Sequence, residues 1–202
     1  MKQILWIVVS LVVLALGCIL LFIFAMTPDN SEEEAEKMGT AYIDEHFPDR
    51  AEVYGTLFDN MGNHEFEYAA EAEHENGVDF LIYEDSQQKV VKDNYATRYY
   101  EEQIEKELDS YISREITQVE AMHVFIINPL SQYQGEDDLP EFTEVAFDPL
   151  VDISLKRGAK KGDEDMLRSL LSFMKEEIGL DQGGARFVYE FTSGDEMLLV
   201  DY

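Results

Sequence analysis

Residues 76–91 read NGVDFLIYEDSQQKVV, and this stretch decides the fold class. Asn76-Gly77 is a strong tight-turn signal, because both residue types tolerate the left-handed backbone of two-residue hairpins. An apolar run follows at 78–83, then a polar segment at 84–88, and Lys89-Val90-Val91 leads the chain back. The pattern predicts two neighbouring antiparallel strands.

The residues before this hairpin show the same period of two. Residues 53–58 and 65–71 alternate in side-chain character and are separated by the turn-forming residues 60–63. In the second of these segments the glutamates at 65, 67 and 71 share one side. We therefore expect a four-stranded antiparallel meander with one polar, acidic face.

Helical patterns flank the meander on both sides. Ser31 and Glu34 form a capping box, and Pro48 ends the first helical pattern. After the meander, Tyr100, Ile104 and Leu108 lie on one helical stripe. The predicted unit, within residues 27–115, is an α+β arrangement of helix, meander and helix.

Residues 116–202 predict a second, smaller α+β unit. Its first strand, 119–127, contains an apolar run that indicates burial on both faces, with His123 as an interior residue. The remaining predicted elements are a polar loop at 129–140, a strand at 151–155, a helix at 163–178 closed by Gly179, and a final hairpin at 187–200.

The amino-terminal segment predicts a membrane anchor within residues 1–26. Residues 4–26 carry no charge, and a helix of that length spans roughly 34 Å against a hydrocarbon core of ~30 Å. Two alternatives stay open, namely a cleaved signal peptide and lipid attachment at Cys18. Lys2 precedes the segment and acidic residues follow it. The positive-inside tendency therefore predicts a single-pass protein of the cell membrane, with a cytoplasmic amino terminus and an extracytoplasmic remainder.

Composition narrows the classes of partner. The formal net charge is −28, and the one cysteine lies inside the apolar segment. The remainder of the chain must therefore fold without disulfides. Nucleic acid is not expected as a partner because its phosphates would be repelled.

No motif of the sequence carries recognisable chemistry. His64 and His74 stand ten residues apart beside predicted turns, and we expect both at the surface. Segments 59–63 and 135–138 lack the regular ligand spacing of calcium loops, and turn chemistry explains both. There is no nucleophile elbow and no phosphate-binding glycine loop. We expect no cofactor, no metal site and no catalytic residue.

One basic segment stands out against the acidic background. Lys156, Arg157, Lys160 and Lys161 are four of the chain's 15 Lys and Arg residues, within six positions. The simplest interpretation is a solvated turn that offsets acidic neighbours. The functional interpretation is a contact for an anionic partner, such as a headgroup or a wall polymer.

Residues 1–115 resemble the small membrane-anchored YfjL-like proteins of Gram-positive bacteria. The similarity lies in the anchor, a short helix ending AYIDEHF at 41–47, the strand FLIY at 80–83, and KDNY at 92–95 opening a helix. It implies a cell-surface protein without an activity that can be transferred to particular residues.

Two hypotheses of function follow. The first is a non-enzymatic, membrane-tethered module that binds or regulates an extracytoplasmic protein or polymer. The alternative is a surface hydrolase that uses carboxylates, with or without a divalent metal.

Overall fold

The computed structural model describes residues 32–59, 61–62, 64–128, 130–190 and 197–201. These residues form an α+β structure with two four-stranded sheets and three α-helices. Within the described ranges, no helix is both long enough and apolar enough to cross a bilayer. The predicted anchor, residues 1–26, lies outside them.

The first sheet is the predicted meander. Its strands are β1 (Ala51–Phe58), β2 (Tyr68–His74), β3 (Asp79–Glu84) and β4 (Val91–Asp93), and they pair in that order, antiparallel throughout. The Asn76-Gly77 turn connects β2 to β3, with Gly77 in the left-handed region at φ 84°. The hairpin prediction is therefore confirmed.

Helix α1 (Glu32–His46) covers one face of the first sheet. Its Gly39 lies so close to β2 that an added Cβ would stand 2.3 Å from the Cβ of Ala70. Larger side chains are excluded at this contact, because the clash involves a short, buried neighbour. Phe47, just beyond the helix, is fully buried among Phe80 and Tyr95.

The second sheet contains β5 (Val119–Ile126), β6 (Pro149–Leu155), β7 (Gly184–Tyr189) and β8 (Met197–Asp201), in that order. The outer pairs are antiparallel, whereas β6 and β7 are parallel. A parallel pair needs a crossover, and helix α3 (Asp163–Phe173), extended by a π-helical turn at Met174–Ile178, supplies it. Gly179 closes this helix at φ 85°, as predicted.

Helix α2 (Tyr95–Glu115) belongs to both halves of the structure. Tyr95, at its start, is buried in the core of the first sheet. The stripe of Tyr100, Ile104 and Leu108 is fully buried in the core of the second sheet. The helix predicted from that stripe is confirmed, and the stripe packs against the second sheet.

The segment between β5 and β6 returns to the first sheet, and we call residues 130–140 the strap. Gly135 N–H donates to Asp93 Oδ2 at 2.7 Å, and Leu139 packs against the core of the first sheet. The hydroxyl of Tyr100 donates to the Pro140 carbonyl at 2.8 Å. The strap therefore joins the two halves through both hydrogen bonds and apolar packing.

Strand β5 corrects one prediction. It is buried on one face only, with Val124 and Ile126 inward, while His123 and Phe125 are exposed. The interior position predicted for His123 is wrong. Helices α2 and α3 both pack on the inward face of the second sheet, so its other face meets solvent.

Candidate functional site

The face of the first sheet opposite α1 carries a row of like charges. Glu52 of β1 pairs with Glu73 of β2, and Glu73 pairs with Asp79 of β3. We call these three residues the acidic row. Directly opposed like charges destabilise a sheet. The row therefore costs folding free energy.

A fourth carboxylate lies beside the acidic row. An added Cβ on Gly55 would stand 2.8 Å from Glu71 Oε2, so the Glu71 side chain lies over β1. Burial, together with the negative charges of Asp79 and Glu71, raises the pKa of the Tyr54 hydroxyl. Among the ion pairs of the described residues, none involves these four carboxylates.

Strand β1 forms an open edge next to the acidic row. It has eight residues and, among the strands that the structure describes, a single paired neighbour, β2. Asp59 N–H bonds to the Glu67 carbonyl of the β2 side, so the alternation of an antiparallel strand turns the peptide groups of Thr56 and Phe58 outward. From the residues that the structure describes, no other segment hydrogen-bonds to this edge.

The edge at β5, by contrast, is closed by side chains of α2. Glu101 Oε1 accepts from Ile126 N–H, and Glu105 Oε1 accepts from Val124 N–H, both at 2.9 Å. Glu101 is buried, and burial raises its pKa despite the hydrogen bonds from Ile126 and Arg98. Two glutamates one helical turn apart thus occupy the donors with which another strand would pair.

A cleft of about 330 Å³ opens at the start of β1. Its wall contains the carboxylates of Asp49, Glu52, Glu73 and Glu75 and one cation, Arg50. Arg50 bonds to Glu75 at 2.8 Å and to Asp137 of the strap. The cleft is therefore negative overall and continuous with the acidic row.

His74 lies beneath this cleft, and the surface position predicted for it is wrong. It is 2% exposed, with Nε2 at 2.9 Å from Asp137 Oδ1. Nδ1 accepts from Asn76 N–H at 3.3 Å, so the hydrogen-bond pattern assigns the proton to Nε2. Tyr95 contacts the same nitrogen at 3.4 Å, and burial raises the pKa of Tyr95 to about 12.

The bonding of His74 suits a structural role. Both ring nitrogens are engaged inside the fold, so neither faces a substrate as a general base would. The contact links β2 to a residue 63 positions away on the strap. His74 and Asp137 therefore fasten the strap to the first sheet.

The basic segment is divided by the structure. Arg157 is 7% exposed and bonds to both carboxylate oxygens of Asp163 at 2.8 Å, while its buried Nε has no acceptor among the described residues. Lys156, Lys160 and Lys161 are exposed, with Lys156 at 3.5 Å from Glu120. Three of the four predicted contact residues thus lie at the surface, and the partner contact itself stays a prediction.

Asp163 stabilises the turn that presents these lysines. Burial would raise its pKa, but hydrogen bonds from Arg157, Lys160 N–H and the Tyr189 hydroxyl outweigh burial and lower it. Asp163 is therefore ionised in the fold at neutral pH, and the buried pair fixes the start of α3.

The acidic residues and histidines do not form a metal site where the structure describes them. Across the described ranges, no group of three or more His, Cys, Asp or Glu side chains could hold a metal ion. Turn chemistry at Asp59 is confirmed, since its carboxylate accepts from Met61 N–H at 3.0 Å and from His64 N–H at 2.7 Å. In the second segment, residues 135–138, the Asp137 carboxylate instead bonds to His74.

The outer face of the second sheet is a further exposed surface. Phe125 and Ile127 are exposed on or beside β5, and Leu199 is exposed on β8. Between these edges Arg186 and Asp152 form an ion pair at 2.5 Å. This face is more apolar than the acidic row.

Comparisons with known proteins add no assignment: the chain matches no family model, no curated protein and no solved structure.

Sequence reasoning identified the acidic face but missed the acidic row as a site. The pairing of Glu52 with Glu73 lies beside the bulge between Val53 and Gly55, whereas Glu73 and Asp79 pair in the regular β2–β3 ladder. Glycine in a strand interior often marks a bulge, so Gly55 was the local signal for the irregular register of β1. The glutamates that close β5 carried no such signal, because their function depends on tertiary packing.

Proposed function

We propose that this protein is a non-enzymatic binding or regulatory module, tethered to the cell membrane through residues 4–26 and exposed outside the cytoplasm. The tether and the orientation rest on the apolar segment and its flanking charges. The resemblance to YfjL-like surface proteins agrees with this placement and is part of the proposal.

The observation that carries the binding role is the acidic row beside the open β1 edge. Opposed carboxylates cost stability, and natural folds keep such local conflicts chiefly at functional sites. At β5 the same fold closes an edge with Glu101 and Glu105. The closed edge at β5 and the open edge at β1 differ in this way, and the difference supports a binding function for β1.

The bonding of the buried ionisable groups supports a role without catalysis. His74, Asp93 and Glu101 each bond to atoms of the fold itself. Catalytic groups need reach to a reacting atom, and these side chains direct their bonds to neighbouring strands, helices and the strap. Their arrangement suits a rigid scaffold that presents surfaces.

The experiment measures hydrolytic turnover and retained metal on the full chain in detergent. We expect no hydrolysis of cell-wall fragments or peptides above a blank, and no metal retained in stoichiometric amount. Turnover that is lost on replacing a single carboxylate would reject the proposal in favour of the surface hydrolase. Stoichiometric metal that survives dialysis at neutral pH would point to the same alternative.

A further inference from the structure

We propose that the open edge of β1 docks an extended, positively charged segment of a partner protein, which joins the first sheet as an additional strand. The inference rests on the proposed binding function and names its mode and the chemistry of its partner. It concerns the outward peptide groups of β1 and the acidic row next to them.

The edge has the length and free bonding groups that strand addition uses. Strand β1 has eight residues, and an added strand would lie about 4.8 Å away. Main-chain hydrogen bonds supply affinity in this recognition mode, and alternate side chains supply specificity. Thr56 and Phe58 offer their peptide groups, whereas β4 has only three residues and β5 is closed by glutamates.

The negative charge of the neighbouring face favours a positively charged segment. On the added strand every second side chain would lie on the face of Glu52 and Glu73, about 5 Å from its cross-strand neighbour. Lys or Arg at these positions would extend the acidic row with a cation and relieve its repulsion. A long basic side chain near the start of β1 would also meet the acidic residues that line the cleft of about 330 Å³.

The same charges argue against a second copy of this chain. Pairing β1 with another β1 would bring two sets of Glu52 and Glu71 onto one short ribbon. Each chain carries a formal charge of −28, so the long-range field also opposes association.

The test uses the full chain in detergent micelles and a synthetic eight-residue peptide of alternating Thr and Lys as the probe. Binding is measured by fluorescence anisotropy, and its location by hydrogen–deuterium exchange of the fragment that covers residues 51–58. We expect saturable binding and slower exchange in that fragment. A Thr-Glu peptide, and a Pro-Lys peptide in which proline removes every second backbone N–H and favours the polyproline II conformation, should not produce the protection.

Two variants separate main-chain pairing from charge. Thr56→Pro removes an outward N–H at a sheet edge, where proline is tolerated, and should abolish the protection while the circular dichroism spectrum stays unchanged. The double variant Glu52→Gln/Glu73→Gln should weaken binding about fivefold, from two ion pairs of modest strength. Glu176→Gln/Glu177→Gln alters two exposed residues with the same change in net charge, and should weaken binding by less than about twofold because distant charges are screened.

Several results would overturn the docking edge. These are equal binding of the Pro-Lys peptide, protection of fragments away from β1, equal weakening by both double variants, or a chain dimer that forms through β1. None of these results would reject the proposed binding function itself. That proposal is rejected by catalytic turnover or by stoichiometric metal.

Discussion

Replacing Glu101 with Ala tests how the second sheet closes its edge. The substitution removes the acceptor of Ile126 N–H, a bond of 2.9 Å in a buried place, and the 2.7 Å contact with Arg98. A buried donor left without an acceptor costs about 1–3 kcal/mol, while the half-exposed Arg98 pair adds at most about 1 kcal/mol. We expect the free energy of unfolding to fall by about 2 kcal/mol.

The assay is urea unfolding of residues 27–202, followed by circular dichroism, because both cores are built from residues after 32. Glu107→Ala is the matched control, since Glu107 is an exposed residue on the same helix. Exchange of the Ile126 amide should accelerate only in the Glu101 variant. A loss below about 0.5 kcal/mol, or equal losses in both variants, would contradict the role of Glu101 in closing the β5 edge, because surface substitutions alone stay within that range.

The pH dependence of Glu101 has a defined sign. Burial raises its pKa above the usual 4.5, so the folded state binds its proton more readily than the unfolded state does. Between 4.5 and the raised pKa, the contribution of Glu101 to stability therefore decreases as pH rises. Glu101→Gln, which keeps an acceptor oxygen, should remove this dependence, and an unchanged pH profile would contradict it.

Three other predictions concern the strap, the buried ion pair and the topology. Asp137→Ala should lower stability by about 1–3 kcal/mol, because it leaves the His74 donor unpaired, and should speed exchange of the Gly135 amide; unchanged exchange would count against the strap as a fastening. Asp163→Asn should destabilise the fold by about 3–5 kcal/mol at pH 7, because Arg157 is left buried without its partner. The deficit should shrink below about pH 4 as the wild-type carboxylate is protonated through its lowered pKa, and a deficit independent of pH would contradict the ion pair. Protease added to spheroplasts should digest the chain after residue 27, and protection would reverse the predicted orientation.

The meander and helices were predictable because their signals are local. The turn at Asn76-Gly77, the alternation of 53–58 and the stripe through Ile104 each lie within a few residues, and all three elements are confirmed. Helix α3 was likewise predictable from the helical spacing of its apolar residues, and its end was predictable from Gly179. Local periodicity decides such elements whatever packs against them later.

The wrong predictions all depended on contacts between distant segments. His74 looked like a surface turn residue because its partner, Asp137, arrives from the strap. The apolar run around His123 predicted burial on both faces of β5. The sequence did not show that α2 and α3 both pack on one face of the second sheet, which leaves His123 exposed on the other. The parallel pairing of β6 with β7 was also missed. The direction and order of these strands depend on how the crossover helix α3 packs on the sheet.

The most direct test of the binding account is site-specific photo-crosslinking in intact cells that make this chain. A benzophenone amino acid replaces Phe58 at the β1 edge or, as a matched control, Phe125 on the second sheet; the two side chains are 48% and 46% exposed. We predict a discrete protein adduct from position 58 that maps to a Lys- or Arg-bearing extended segment and whose yield falls several-fold in the Glu52→Gln/Glu73→Gln background. An adduct from position 125 alone, or one at position 58 whose yield is unchanged without those two carboxylates, would contradict this prediction.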